Sequence, residues 1–117
     1  MYYGVAYYPE HWPEERWPTD AKMMKEAGVN GVRMAEFAWS KLEPVEGEYD
    51  FDWLDRAVDL LSDHGIKTMM CTCSRTPPPW VFGKYPEIRN VRGDGHVANY
   101  GHRYTVCHNN PAFIDQM

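Results

Sequence analysis

The chain has 117 residues, a formal net charge of −5, 44% apolar residues and 15% aromatic residues. That apolar share suffices for a packed core and argues against disorder, while the lack of a basic run argues against nucleic acid and anionic membranes as partners. No apolar run approaches the ~20 residues of a membrane span, and the start Met1-Tyr2-Tyr3-Gly4 has neither a basic nor an apolar leader pattern, so a cytoplasmic protein is expected.

Gly4 to Tyr8 is an apolar run ending at Pro9, and it reads as a buried strand. A loop follows to Trp17. Trp17 or Thr19 then opens a helix, with Pro18 at or near its first position. Asp20, Met23, Met24 and Ala27 fall on one side of that helix, and Gly28 stops it by accepting a left-handed backbone. Val29 to Met34 is a second strand, followed by a loop from Ala35 to Asp50 with a turn at Pro44 and Gly47. Asp50 or Asp52 caps the next helix, whose apolar stripe is Trp53, Leu54, Ala57, Val58 and Leu61. Gly65 ends it. Ile66 to Thr72 is a third strand. From Ser74 to Val106 the chain reads mostly as loop, opened by Pro77-Pro78-Pro79, and loops of that length in compact domains are often functional. Asn110-Pro111 then has the form of an N-cap and first helical residue.

Alternation of strand and helix in this order implies parallel strands with right-handed crossovers. It does not separate a doubly wound sheet from a barrel segment. Pro9-Glu10-His11-Trp12 stands after the first strand, where a nucleotide-binding fold places its phosphate-cradling glycines.

The segment from Gly31 to Asp55, GVRMAEFAWSKLEPVEGEYDFDWLD, places the carboxylate of Glu36 at a strand end beside Phe37 and Trp39. Sugar-binding barrels present such groups at the C-terminal ends of their strands. Trp39 and Trp80 follow strands and are candidate sugar platforms, whereas Trp53 belongs to a helical stripe and reads as core. Retaining glycoside hydrolysis needs two carboxyls about 5–5.5 Å apart. On spacing alone, Glu10 after the first strand and Glu36 after the second are open as such a pair. The first reading of Glu36 is instead an acid that orients its neighbours, and the next is a direct sugar contact.

Cys71, Cys73 and Cys107 make an odd count with no disulfide framework, so they are free thiols or metal ligands. A closed zinc site would need four ligands, drawn from these three and a histidine such as His102 or His108. C-x-C without a second such pair is a weak signal, and two buried thiols in a strand are the simpler reading.

Four motifs in register carry a resemblance. YYPEHWPEERW (Tyr7–Trp17), MKEAGVNGVRMAEFAWSKLEP (Met24–Pro44), YDFDWLDRAVDLL (Tyr49–Leu61) and TPPPW (Thr76–Trp80) make the chain similar to the N-terminal part of glycoside hydrolase family 42, the β-galactosidases. The resemblance implies an α/β fold, a partial TIM (β/α)8 barrel of roughly the first three β/α units, with residues 1–117 as the N-terminal fragment of a catalytic domain. It implies hydrolysis of terminal β-galactosides with retention, and a galactoside as the substrate. In RYTVCHNNP it implies that Arg103 contacts the galactose and that Cys107 is the first of four zinc-binding thiolates, the zinc being structural. Glu36 matches an acid that lines or braces the sugar pocket. The acid/base and nucleophile glutamates would lie beyond Met117, so this chain is expected to be inactive alone. A homotrimer is implied for the full-length protein. Cys71 and Cys73 depart from the family pattern. Two other readings stay open: a non-catalytic sugar-binding or complementing barrel piece, and a small zinc-binding protein.

Overall fold

The computed structural model describes every residue except His102 and Tyr104. The described residues divide into two compact units, one comprising Met1–Ala35 and Asp50–Thr72, the other Glu36–Tyr49 and Cys73–Met117.

The first unit is built on a parallel sheet of order β1-β2-β3, with strands β1 (Gly4–Ala6), β2 (Gly31–Met34) and β3 (Lys67–Met70). Two helices connect them, α1 (Trp17–Glu26) and α3 (Asp52–Asp63), and α3 packs on both α1 and β3. The two helices end alike. Gly28 and Gly65 take positive φ, and the next residues, Val29 and Ile66, donate their N–H back to the carbonyls of Met24 and Leu61 at 2.9 Å. This is the Schellman arrangement, which only a residue tolerant of left-handed backbone closes without strain. At the start of α3, Asp50 Oδ1 accepts the N–H of Asp52 at 3.1 Å. The α3 stripe buries Trp53, Leu54, Ala57 and Leu61, with Val58 half-buried, as its periodicity predicts.

Two expectations for this unit are corrected. Strand β1 is exposed along its length, and burial begins only at Tyr7. The reason is its position: it is an edge strand paired with β2 alone. In register, Gly4, Gly31 and Lys67 form one row and Ala6, Arg33 and Met69 another, on the same face of the sheet. Among the described residues that face remains an open groove. The other face carries Val32 and Met34, both fully buried. The second correction concerns α1. Its buried side holds Trp17 and Ala21 with Met24 half-buried, while Met23 and Ala27 face solvent. The helix begins at Trp17, one of the two starts expected, and its buried face runs from Trp17 through Ala21 to Met24 rather than through Met23 and Ala27.

The second unit contains α2 (Trp39–Leu42), α4 (Pro79–Lys84) and α5 (Pro111–Ile114). Its core is Trp39, Val81, Phe82, Ile88, Val106 and Phe113. The span read as loop between Ser74 and Val106 therefore holds a helix, a 3-10 turn at Pro86–Ile88, and the bridges Arg89 to Val106 and Val91 to Val97. Pro79 starts α4 at the position where a missing N–H costs nothing. Asn110 caps α5 as expected, its Oδ1 accepting from the N–H groups of Ala112 and Phe113.

Candidate functional site

Glu36, Phe37, Trp39, Trp80, Arg103 and Cys107 all belong to the second unit. Glu36 opens it, immediately after Ala35, whose φ of 69° is the one positive value at a non-glycine position among the described residues. Glu36 is half-buried, and its Oε2 is shielded from solvent. Phe37 is half-buried beside it.

Arg103 is exposed, and its guanidinium carbon lies 4.6 Å from the centroid of the Phe37 ring. Residues 66 positions apart in the chain thus meet side chain to side chain, one from the segment after β2 and one from the long segment after α4. A guanidinium held this way presents a planar fork of donors suited to sugar hydroxyls.

Trp39 stands elsewhere than on the surface expected of a sugar platform. It is 7% exposed and lies in the core, with its ring 6.3 Å from that of Phe113. Its indole N–H donates to Glu43 Oε2 at 2.6 Å. Glu43 is itself buried, and its other oxygen accepts the N–H of Gly47 at 2.8 Å. The Glu43 charge also pushes the Tyr49 pKa upward. One carboxylate therefore ties together the end of α2 and the turn behind it. A buried charge needs this density of donors to be tolerated. Trp80 is half-buried against the same core, and its indole N–H donates to the Glu43 carbonyl at 3.0 Å. Of the two tryptophans proposed as platforms, Trp80 alone keeps part of its surface open.

Sequence reading passed over Glu43 and gave Phe37 no role of its own. The signal for Glu43 was present as W-x-x-x-E, the spacing of one helical turn. No local signal joins Phe37 to Arg103, because their contact depends on the fold.

Cys107 is half-buried and free, and its backbone N–H donates to Ile88 at 2.7 Å. His108 packs edge-on against Phe113 at 5.3 Å. Among the described residues no three His, Cys, Asp or Glu side chains gather as a metal group. Cys73, Cys107 and His108 belong to the second unit and Cys71 to the first, and His102 lies outside the described residues. Structural zinc is tetrahedral. This chain offers Cys107 as a single ligand, and the residues present do not by themselves fit the ion. Glu10 belongs to the first unit, in the 3-10 turn Pro9–His11, with both carboxylate oxygens shielded from solvent. Among the described residues no helix is long and apolar enough to cross a membrane.

Residues 6–117 match the glycoside hydrolase 42 family, described as β-galactosidase. The chain is 46% identical over 116 residues to the β-galactosidase Bga of Halorubrum lacusprofundi, covering 99% of this chain and 17% of that protein. It superposes on the solved β-galactosidase of the same haloarchaeon with a TM-score of 0.93, again at 99% and 17% coverage. A GH42 β-galactosidase from G. stearothermophilus superposes with a TM-score of 0.92 at 30% identity, over 99% of this chain and 17% of that one. The chain thus spans about 17% of the length of these relatives.

Proposed function

We propose, from the premise that this chain belongs to the β-galactosidase family of glycoside hydrolase 42, that it forms the opening β/α units of a retaining β-galactosidase barrel. The observation that carries the reading is Arg103. It stands exposed in the motif RYTVC with its guanidinium over Phe37, within a family match that runs from residue 6 to residue 117. In this reading the guanidinium donates to hydroxyls of a terminal β-galactoside, Glu36 braces the pocket, and Trp80 offers its open edge to the sugar. The two carboxyls of the double displacement, about 5–5.5 Å apart, come from outside these residues. The chain alone is then a binding and scaffolding piece without turnover.

Cys107 enters this reading as one of four thiolates of a structural zinc site, the other three supplied from outside the chain. The full-length assembly is a trimer. Three free cysteines support a reducing, cytoplasmic setting.

The test is a hybrid in which this chain replaces the matching 116 residues of the Halorubrum lacusprofundi enzyme. Turnover of a chromogenic β-galactoside is expected, and Arg103→Ala is expected to raise KM roughly 10- to 100-fold, the scale of losing hydrogen bonds from a charged donor. A folded, inactive hybrid overturns the reading.

A further inference from the structure

The contact between Arg103 and Phe37 has a chemical asymmetry. Arg103 is exposed, and among the described residues it makes no hydrogen bond and no ion pair. A carboxylate partner would orient a guanidinium but would occupy the donors on one edge of its fork. An aromatic face orients it through the ring quadrupole and leaves the N–H groups unspent. The platform is itself held. Phe37 is followed by the buried pair Ala38 and Trp39, and Trp39 is fastened by its N–H to the buried Glu43 and by its ring to Phe113. The ring therefore sits on a short tether from a core anchor, and the exposed arginine rests on it.

We propose that Phe37 is a positioning residue for sugar recognition: its ring fixes the direction of the Arg103 guanidinium without occupying the N–H donors that would meet substrate hydroxyls. This rests on the reading of Arg103 as the galactose contact. Phe37 touches no substrate; it restricts the rotamers of a long side chain before binding, so less entropy is lost when the sugar arrives.

The experiment has two arms. In the 117-residue chain, kept dilute enough to remain monomeric by sedimentation, the Arg103 side-chain NMR signals are expected to carry a ring-current shift that Phe37→Leu abolishes and Phe37→Tyr retains. In the hybrid enzyme, Phe37→Leu is expected to raise KM for a chromogenic β-galactoside by roughly 2- to 5-fold at unchanged kcat, the scale of one exposed cation–π contact. Phe37→Tyr restores the original KM, and Phe37→Leu adds nothing in an Arg103→Ala background. If Phe37→Leu does not fold, Phe37→Met takes its place. If Arg103→Ala raises KM and Phe37→Leu leaves it unchanged, Phe37 has no positioning role and the proposal falls while Arg103 keeps its role. If Arg103→Ala leaves KM unchanged, the reading of Arg103 falls and the proposal with it. Additive effects in the double variant also overturn the proposal.

Discussion

Glu43 is a carboxylate at a buried position, and its contacts say why it is tolerated. The Trp39 indole N–H and the Gly47 backbone N–H both donate to it. Glu43→Ala leaves an indole N–H without a partner in the core, and the expected loss is about 2 kcal/mol of stability, read as a lower urea midpoint. Glu43→Gln keeps an acceptor and is expected to cost less. Tyr7 makes a different prediction. Its phenol donates to Asp20 at 3.1 Å, Asp20 also pairs with Arg16 at 3.0 Å, and burial followed by the Asp20 charge pushes the Tyr7 pKa well above its ordinary value. A pKa raised in the folded state means that the native chain holds its proton more firmly than the unfolded one. Stability is then complete below the ordinary value of 10 and declines as pH rises beyond it. Thermal unfolding followed from pH 9 upward should show that decline, and Tyr7→Phe should flatten it.

At the scale of elements, two of the left-handed positions in the sheet unit, Gly65 and Ala35, behave oppositely. Gly65 has a φ of 71°, and a Cβ there would lie 2.9 Å from Lys25 Nζ. The lysine end moves easily, so the expected loss for Gly65→Ala, about 1 kcal/mol, comes from the backbone. Ala35 has a φ of 69° and bears that strain already. Ala35→Gly is expected to gain about 0.5–1 kcal/mol, seen as a higher denaturant midpoint. The longer elements were legible in the sequence. The α3 stripe, the glycine stops of both long helices, the parallel alternation and the Asn110 cap are encoded by neighbours a few residues apart, which is the range over which periodicity and capping act. The helices α2 and α4 were not legible, having four and six residues. That is too short for a stripe to repeat, and the prolines before α4 have the same form in a loop. The burial of Trp39 depends on Phe113, 74 positions later, and no local pattern reports such a partner.

For the whole molecule, the three-stranded sheet has two strands, β1 and β3, with a single neighbour each, and one face forms an open groove. Unpaired parallel edges favour self-association. Sedimentation of the purified chain is expected to show species heavier than 13.7 kDa that grow with concentration. Assayed alone, the chain is expected to leave a chromogenic β-galactoside intact; turnover by the pure chain that disappears in Glu36→Gln would refute this. The distribution of tryptophans has a consequence that is optical. Trp17 and Trp53 lie dry in the first unit, Trp39 lies dry in the second, and Trp12 is wetted at the surface. Each unit thus carries its own intrinsic fluorophore. Replacing Trp39 and Trp80 by phenylalanine silences the second unit, and replacing Trp12, Trp17 and Trp53 silences the first. A denaturation curve resolved by emission colour would then tell whether the two halves melt in concert or in turn.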